Sequence, residues 1–290
     1  MVIALDGFDI RYCPKRFVDK ITQREYGFYD VGMLEKTFTP ICFSAILTGK
    51  DPRSFGYSGD FISNKYGKGF QNWLRPLFWI RRNIFGFVKS FGIHKRMIKN
   101  ELLDTKTIDR NMNEAMKKNT IINRLTEENF SVYSPNVPSY SEKMKDIDHI
   151  ASLIGKPLFH RMNFIDDLYD KIVFNWYQML DNLPDNDLIF FYSKLPDEAH
   201  HLLSHILEYN KIIEYIYDKL CNLPMLFDLK DVAILILSDH GFSHRFTDLG
   251  KDIHGTHSNT GFWSTNVDTN IRPRVVFDFY DLIYELVVYH

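Results

Sequence analysis

Seven of the 11 histidines fall between residues 200 and 257: His200, His201, His205, His240, His244, His254 and His257. Packing alone would scatter them, so the clustering points to metal binding or acid–base chemistry. The most specific motif is Ser238-Asp239-His240-Gly241, set directly after the apolar run 232–237. Adjacent residues at a strand tip face two sides, so this carboxylate and imidazole can share or divide two ions. The plainer reading is a capping Asp beside a loop His. A second motif, Pro196-Asp197-Glu198-Ala199-His200-His201, puts Asp197 and His201 on one face if it is helical. His200 then points elsewhere, and His205 lies one turn further on. Asp6-Gly7 ends another apolar run, 2–5. A single acid there is commonly structural, and its weight comes from agreement with the other segments. In His254-Gly255-Thr256-His257-Ser258-Asn259, read as a loop, one histidine is a ligand candidate and the other either supports it or is a bystander. Oxygen and imidazole donors in this mixture suit Zn²⁺, with Mn²⁺ or Fe as alternatives.

The elements that must position these residues follow from hydrophobic patterning. Runs 2–5, 188–192 and 232–237 read as buried strands, and 130–140 as a short strand followed by a Pro-punctuated loop. Apolar residues at helical spacing predict helices over about 160–182, 201–220 and 275–288. Residues 37–49 read as turn, helix and stop, with Thr39 as N-cap, Pro40 at the first helical position and Gly49 closing the end. Strands alternating with helices predict an α/β fold, a central mostly parallel sheet with helices on both faces. Ligand sites in such sheets lie beyond the carboxyl ends of the strands, where Asp6, Asp197 and Asp239-His240 fall.

With 290 residues and 45% hydrophobic content, the chain can form one large domain over 1–290. A net charge of -2 gives no global reason to expect a nucleic-acid polymer as partner. Residues 71–99 carry Arg75, Arg81, Arg82, Lys89, Lys95, Arg96 and Lys99, no acid, and interleaved aromatics. We read them as part of a helical insertion over 65–120, a cap or lid whose aromatics pack on the body. The alternative is a basic amphipathic segment that touches a membrane surface or an anionic ligand. Cys13, Cys42 and Cys221 are odd in number and widely spaced, without a disulfide framework. No uncharged apolar run reaches membrane-spanning length, and 2–5 is too short for a signal peptide. The expectation is a soluble cytoplasmic protein.

The order of these segments resembles the alkaline phosphatase superfamily, most closely its type I phosphodiesterase/nucleotide pyrophosphatase family. Carrying the resemblance are a strand followed by Asp6-Gly7, the Thr39-to-Gly49 segment ending TGKDP, the Asp197-to-His201 motif, the strand followed by SDHG, and a late GTH. It covers residues 2–60 and 185–262. It implies an alkaline phosphatase-like fold and a metal-dependent hydrolase of small phosphate esters, phosphodiesters or nucleotide pyrophosphates. One of two divalent ions would be held by Asp6, Thr39, Asp239 and His240, the other by Asp197, His201 and His257. Thr39 would be the nucleophile, passing through a phosphothreonine, and the two ions would clamp the attacking and leaving oxygens. Thr39, rather than Thr37, Ser44 or Thr48, has both the family spacing to Thr48-Gly49 and a helix N-terminus where N–H groups could meet phosphoryl oxygens. His200, His254 and Cys42 would be supporting or alternative residues. The chain departs from the family in three places: Pro40 follows Thr39 directly, Phe55-Gly56 stands for the usual His-Gly, and Cys42 replaces a phosphate-holding Asn. Sulfatases, which need an oxidised Cys or Ser, cofactor-independent phosphoglycerate mutases, which use a Ser, and phosphomonoesterases are the rival enzymes. A non-catalytic membrane-surface module is the rival from another class.

Overall fold

The computed structural model describes residues 1–59, 111–141, 153, 156–204, 206, 208–222, 229, 231–245 and 254–290. The strands are β1 (Val2–Leu5), β2 (Glu25–Asp30), β3 (Val132–Tyr133), β4 (Leu188–Ser193), β5 (Leu235–Ser238), β6 (Phe242–Arg245), β7 (His254–His257) and β8 (Thr260–Thr265). The α-helices are α1 (Lys15–Thr22), α2 (Thr39–Thr48), α3 (Glu114–Lys117), α4 (Ile121–Glu127), α5 (Leu158–Asn182), α6 (Leu195–Leu203), α7 (Tyr209–Cys221) and α8 (Phe279–Tyr289). Six strands form one sheet in the order β2-β8-β5-β1-β4-β3. β5, β1, β4 and β3 pair in parallel, and β8 is antiparallel to both of its neighbours. The sheet is therefore mixed but mostly parallel, an α/β architecture as the patterning predicts.

Both faces of the sheet are covered, which is why its central strands read as unbroken apolar runs. Val2, Ala4, Leu188, Phe190, Leu235 and Leu237 enter one core, with α2, α4 and α8 packed over them. The alternate residues Ile3, Leu5, Ile189, Phe191 and Ile236 enter the other, under α1, α5, α6 and α7. Every residue of α2 is buried, because it is enclosed by the sheet, α4 and α8. Met112 and Met116, from the end of the expected 65–120 insertion, also join the first core. Residues 60–110, and with them the basic aromatic segment 71–99, lie outside the described residues. Among those described, no helix is long and apolar enough to cross a membrane.

Three local expectations need correction. Residues 201–220 are not one helix: α6 ends at Leu203 and α7 starts at Tyr209. The reason is His200, which hydrogen-bonds the hydroxyls of Tyr209 (2.5 Å) and Tyr217 (2.8 Å). In a straight helix Tyr217 would stand about 25 Å further along the axis, so the chain must turn back. Second, Thr39 is not the N-cap of α2. Phe38 occupies that position and Thr39 is the first helical residue. Third, residues 254–257 are not a loop. They form β7, which pairs with β6 as a separate two-stranded hairpin beside the site.

Candidate active site

The carboxyl ends of β1, β4 and β5 deliver acids and a histidine to the start of α2. Asp6 follows β1, and its backbone accepts from the Asp197 N–H at 3.0 Å. Gly7, at φ +62, permits this approach: a Cβ there would meet Asp197 at 2.8 Å. Asp197 lies on the first turn of α6, and Asp239-His240 follow β5. Asp6, Asp239 and His240 are buried.

Two groups of donors result. In the first, Nε2 of His201 and Nε2 of His257 lie 2.9 Å apart, and each is 3.4 Å from Asp197 Oδ1. Ligands in a tetrahedron of radius about 2.0 Å stand about 3.3 Å apart, so this triangle has the dimensions of a zinc or similar site. The second group joins Asp6, Asp197 and His240. His240 Nε2 is 3.5 Å from Asp6 Oδ1 and 3.4 Å from Asp239 Oδ2. The His240 and His257 rings stack at 3.8 Å, which sets the two groups side by side. Asp197 Oδ1, Asp239 Oδ2 and His240 Nε2 are buried and make no hydrogen bond. Such orphans are costly unless a ligand takes them. Among the described residues no Lys or Arg pairs with these three aspartates, so the donor set fits divalent cations.

The electrostatics follow from this crowding. Burial, with the charges of Asp239 and Asp197, holds the Asp6 carboxyl well above the usual range, against the hydrogen bond from Tyr192. Burial would also raise Asp197, but His201 and His257 outweigh it and hold that carboxyl well below its ordinary value. Burial works to lower His257, yet Asp197 lifts it to about 9. For His240 burial wins, and its pKa is lowered.

Thr39 Oγ1 donates to Asp6, 3.2 Å from Oδ1 and 3.3 Å from Oδ2. The helix N-terminus beside it is less open to an anion than the sequence suggests. Pro40 has no N–H, and those of Ile41 and Cys42 both donate to the Phe38 carbonyl. Cys42 is fully buried in the core behind the site, where burial and the charges of Asp239 and Asp6 push its thiol up. His200 faces away from the donors, into its two tyrosines. His257 is oriented by its other nitrogen, Nδ1, which bonds the Thr37 carbonyl, as ligating histidines commonly are. The side chain of His254 and all of His205 lie outside the described residues. The structure therefore gathers Asp6, Thr39, Asp197, His201, Asp239, His240 and His257, and leaves His200 and Cys42 outside the cluster.

Sequence reading missed one contact. The Tyr192 hydroxyl donates to Asp6 Oδ2 at 2.6 Å, which leaves Oδ1 turned toward Thr39 and His240. The available signal was a lone hydroxyl near the end of the apolar run 188–192.

The sequence profile described as Type I phosphodiesterase / nucleotide pyrophosphatase matches residues 1–257. The chain belongs to this family. No curated protein sequence matches it. Among solved structures, murine ectonucleotide pyrophosphatase / phosphodiesterase 5 is similar at 16% identity and a TM-score of 0.42, over 85% of this chain and 58% of that one. An inactive variant of the same murine protein, in complex with AMP, is similar at 15% identity and a TM-score of 0.39, over 85% and 57%. This family member thus spans under two-thirds of the length of those structures.

Proposed function

We propose that the chain is a metal-dependent hydrolase of small phosphate esters, working on phosphodiesters or nucleotide pyrophosphates through Thr39. The observation that carries this reading is the set of orphaned buried donors on Asp197, Asp239 and His240 beside a hydroxyl at a helix start. Asp197, His201 and His257 would hold one ion, and Asp6, Asp239 and His240, with Thr39, the other. Zinc suits their nitrogen and oxygen donors. When bound, the ions would supply positive charge against the phosphoryl oxygens and the leaving group.

The chain's own residues supply the rest. The Thr39 hydroxyl is aimed at Asp6, so Asp6 is the group at hand to take its proton as Oγ1 attacks phosphorus. A P–O bond forms at Thr39, the bond to the leaving oxygen breaks and that oxygen is protonated, and a phosphothreonine results that still carries the substrate's other ester group. Water then hydrolyses it, releasing the phosphate product and restoring the hydroxyl. Tyr192 and the helix α2 keep Asp6 and Thr39 in register throughout.

Side-by-side kinetics on an aryl phosphodiester and the matching monoester test the reading. We expect the diester to be turned over faster, with chelation abolishing both activities. A clear monoester preference would move the protein to the phosphatase reading. No hydrolysis of either ester by zinc-loaded protein would overturn the proposal.

A further inference from the structure

His257 does not come from the six-stranded sheet. It arrives on the β6–β7 hairpin, whose base is tied to β8 by the Gly241 N–H donating to the Thr260 carbonyl at 2.8 Å, and contacts outside the sheet hold the hairpin further along. In the hairpin, Phe242 pairs with His257. The neighbouring bond runs from the Ser258 N–H to the Gly241 carbonyl, 2.9 Å. Phe242 therefore turns its own N–H and C=O outward, off the ladder, as residues of a non-hydrogen-bonded antiparallel pair do.

Both outward groups are gripped by one ion pair. Asp9 Oδ2 accepts from the Phe242 N–H at 3.3 Å, and Arg11 Nη2 donates to the Phe242 carbonyl at 2.7 Å. Arg11 is locked to Asp9 through Nε (2.9 Å to Oδ1) and Nη2 (2.5 Å to Oδ2), while the Arg11 N–H also meets Asp9 Oδ1 at 3.0 Å. The Asp9 carboxylate is almost wholly buried, with its side chain 8% exposed, whereas that of Arg11 is 63% exposed. Glycine at 241 is what admits the carboxylate: a Cβ there would lie 3.0 Å from Asp9 Oδ2 and 2.8 Å from Ser258 Oγ. The gripped residue touches both histidines of α6. Its ring stacks on His200 at 4.5 Å and meets His201 edge-on at 5.4 Å. Behind it, the Asp9 N–H donates to the Tyr217 hydroxyl at 2.9 Å, and that hydroxyl bonds His200 at 2.8 Å.

We propose that Asp9, with Arg11, is a positioning residue that anchors the β6–β7 hairpin through Phe242 and so holds His257 over Asp197 and His201. It rests on the reading of Asp197, His201 and His257 as a metal site. Among the described residues, Asp9 bonds Arg11, Phe242 and Tyr217 and none of the three donors. It acts through the backbone of the residue opposite His257.

The test compares full-length wild type with Asp9→Ala, Arg11→Leu and His257→Ala in two measurements. The first is amide hydrogen exchange at Ser258, whose N–H closes the hairpin and touches neither substituted side chain. The second is zinc titration against a chromophoric chelator. In Asp9→Ala and Arg11→Leu the Ser258 amide should exchange about tenfold faster or more. One of two zinc ions should bind about 10–100-fold more weakly, the same ion that His257→Ala loses, with the other retained. Arg11→Leu carries the test if Asp9→Ala does not fold, because it keeps the Asp9 bond to the Phe242 N–H. Unchanged Ser258 exchange and unchanged zinc affinities in a folded variant would overturn the proposal. If wild type binds no zinc, the metal reading falls. Ser258 exchange would then decide the anchoring role by itself.

Discussion

The two ends of the central sheet treat polar groups in opposite ways. At the start of the strands several polar groups among the described residues are paired. The Met1 amine donates to the Ala233 carbonyl, Asn266 bridges the Ile234 N–H and the Val232 carbonyl, and Asp187 takes both the N–H and the hydroxyl of Ser131. At the carboxyl ends, Asp6, Asp197 and Asp239 crowd together and leave buried donors without hydrogen bonds. Crowding buried carboxylates together lowers stability, so a fold that gathers three of them at one end separates the place of binding from the scaffold. Substitutions at the site end should then change activity and ion binding more than stability. Those at the far end should do the reverse.

The largest effect belongs to Thr39. Thr39→Ala should lower kcat by about 10⁴-fold or more, the scale of removing a nucleophile, while zinc stays bound because the aspartates and histidines persist. Thr39→Ser should keep measurable turnover. Steady-state kinetics with parallel metal analysis check this, and wild-type turnover by Thr39→Ala would remove the nucleophile assignment. The next effect is that of the ions. If they take the orphaned donors, zinc at about 100-fold above its Kd should stabilise the fold by about 2.7 kcal/mol for each ion bound, seen as a higher melting temperature that chelator reverses. A melting temperature indifferent to zinc would mean that the site end is not a metal site.

This contrast also shows how much was legible in the sequence. Asp6-Gly7 and Ser238-Asp239-His240-Gly241 could be read because strand and polar tip are contiguous, and a run buried on both faces leaves an unmistakable pattern. β2 and β8 could not. In β2 exposed Tyr26 and Phe28 alternate with partly buried or buried residues, and the strand is fixed by pairing with residues more than two hundred positions away. The break between α6 and α7 was hidden because every position there obeys helical spacing, and only the His200–Tyr217 bond demands the turn. Tyr192 and Asp9 were overlooked for the same reason: each acts across the fold on a partner that no local window contains. Thr39 was legible as a helix start, but not as a residue inside the helix, since a Pro next to a Thr suits either register.

Asp239→Asn tests the opposed signs at the site end more finely. Asp239 Oδ1 accepts from the Gly7 N–H at 3.2 Å, a bond that the Asn oxygen can keep. The new amide nitrogen would take the place of Oδ2, 3.4 Å from His240 Nε2, and would remove a charge that presses on Asp6. Metal-free Asp239→Asn should therefore be more stable than metal-free wild type, by about 1 kcal/mol, and yet bind zinc more weakly. Thermal melts with and without zinc read both signs. A metal-free variant less stable than wild type would show that the crowding costs nothing.

The smallest effect is expected at the far end. Asp187 Oδ2 receives the Ser131 N–H at 2.8 Å and the Ser131 hydroxyl at 2.7 Å, where β3 and β4 begin. The Ser131 backbone bond, followed by its side-chain bond, holds the Asp187 carboxyl below the usual range. A depressed folded value means the ionised form is favoured by folding. Its contribution is present above the unfolded pKa of about 3.9 and lost as the pH falls through the lower folded value. Asp187 is exposed, so solvent screens the interaction and the contribution is small. Asp187→Asn should lower the melting temperature at pH 7 by about 1–2 °C, with the difference closing in acid as wild type loses the same charge. The amide oxygen can still accept one Ser131 donor, which keeps the strands in register. Esterase kcat and KM should not move, because the whole sheet lies between Asp187 and Thr39. A fall in kcat without a change in melting temperature would show that the two ends are coupled, and would break the division between scaffold and site.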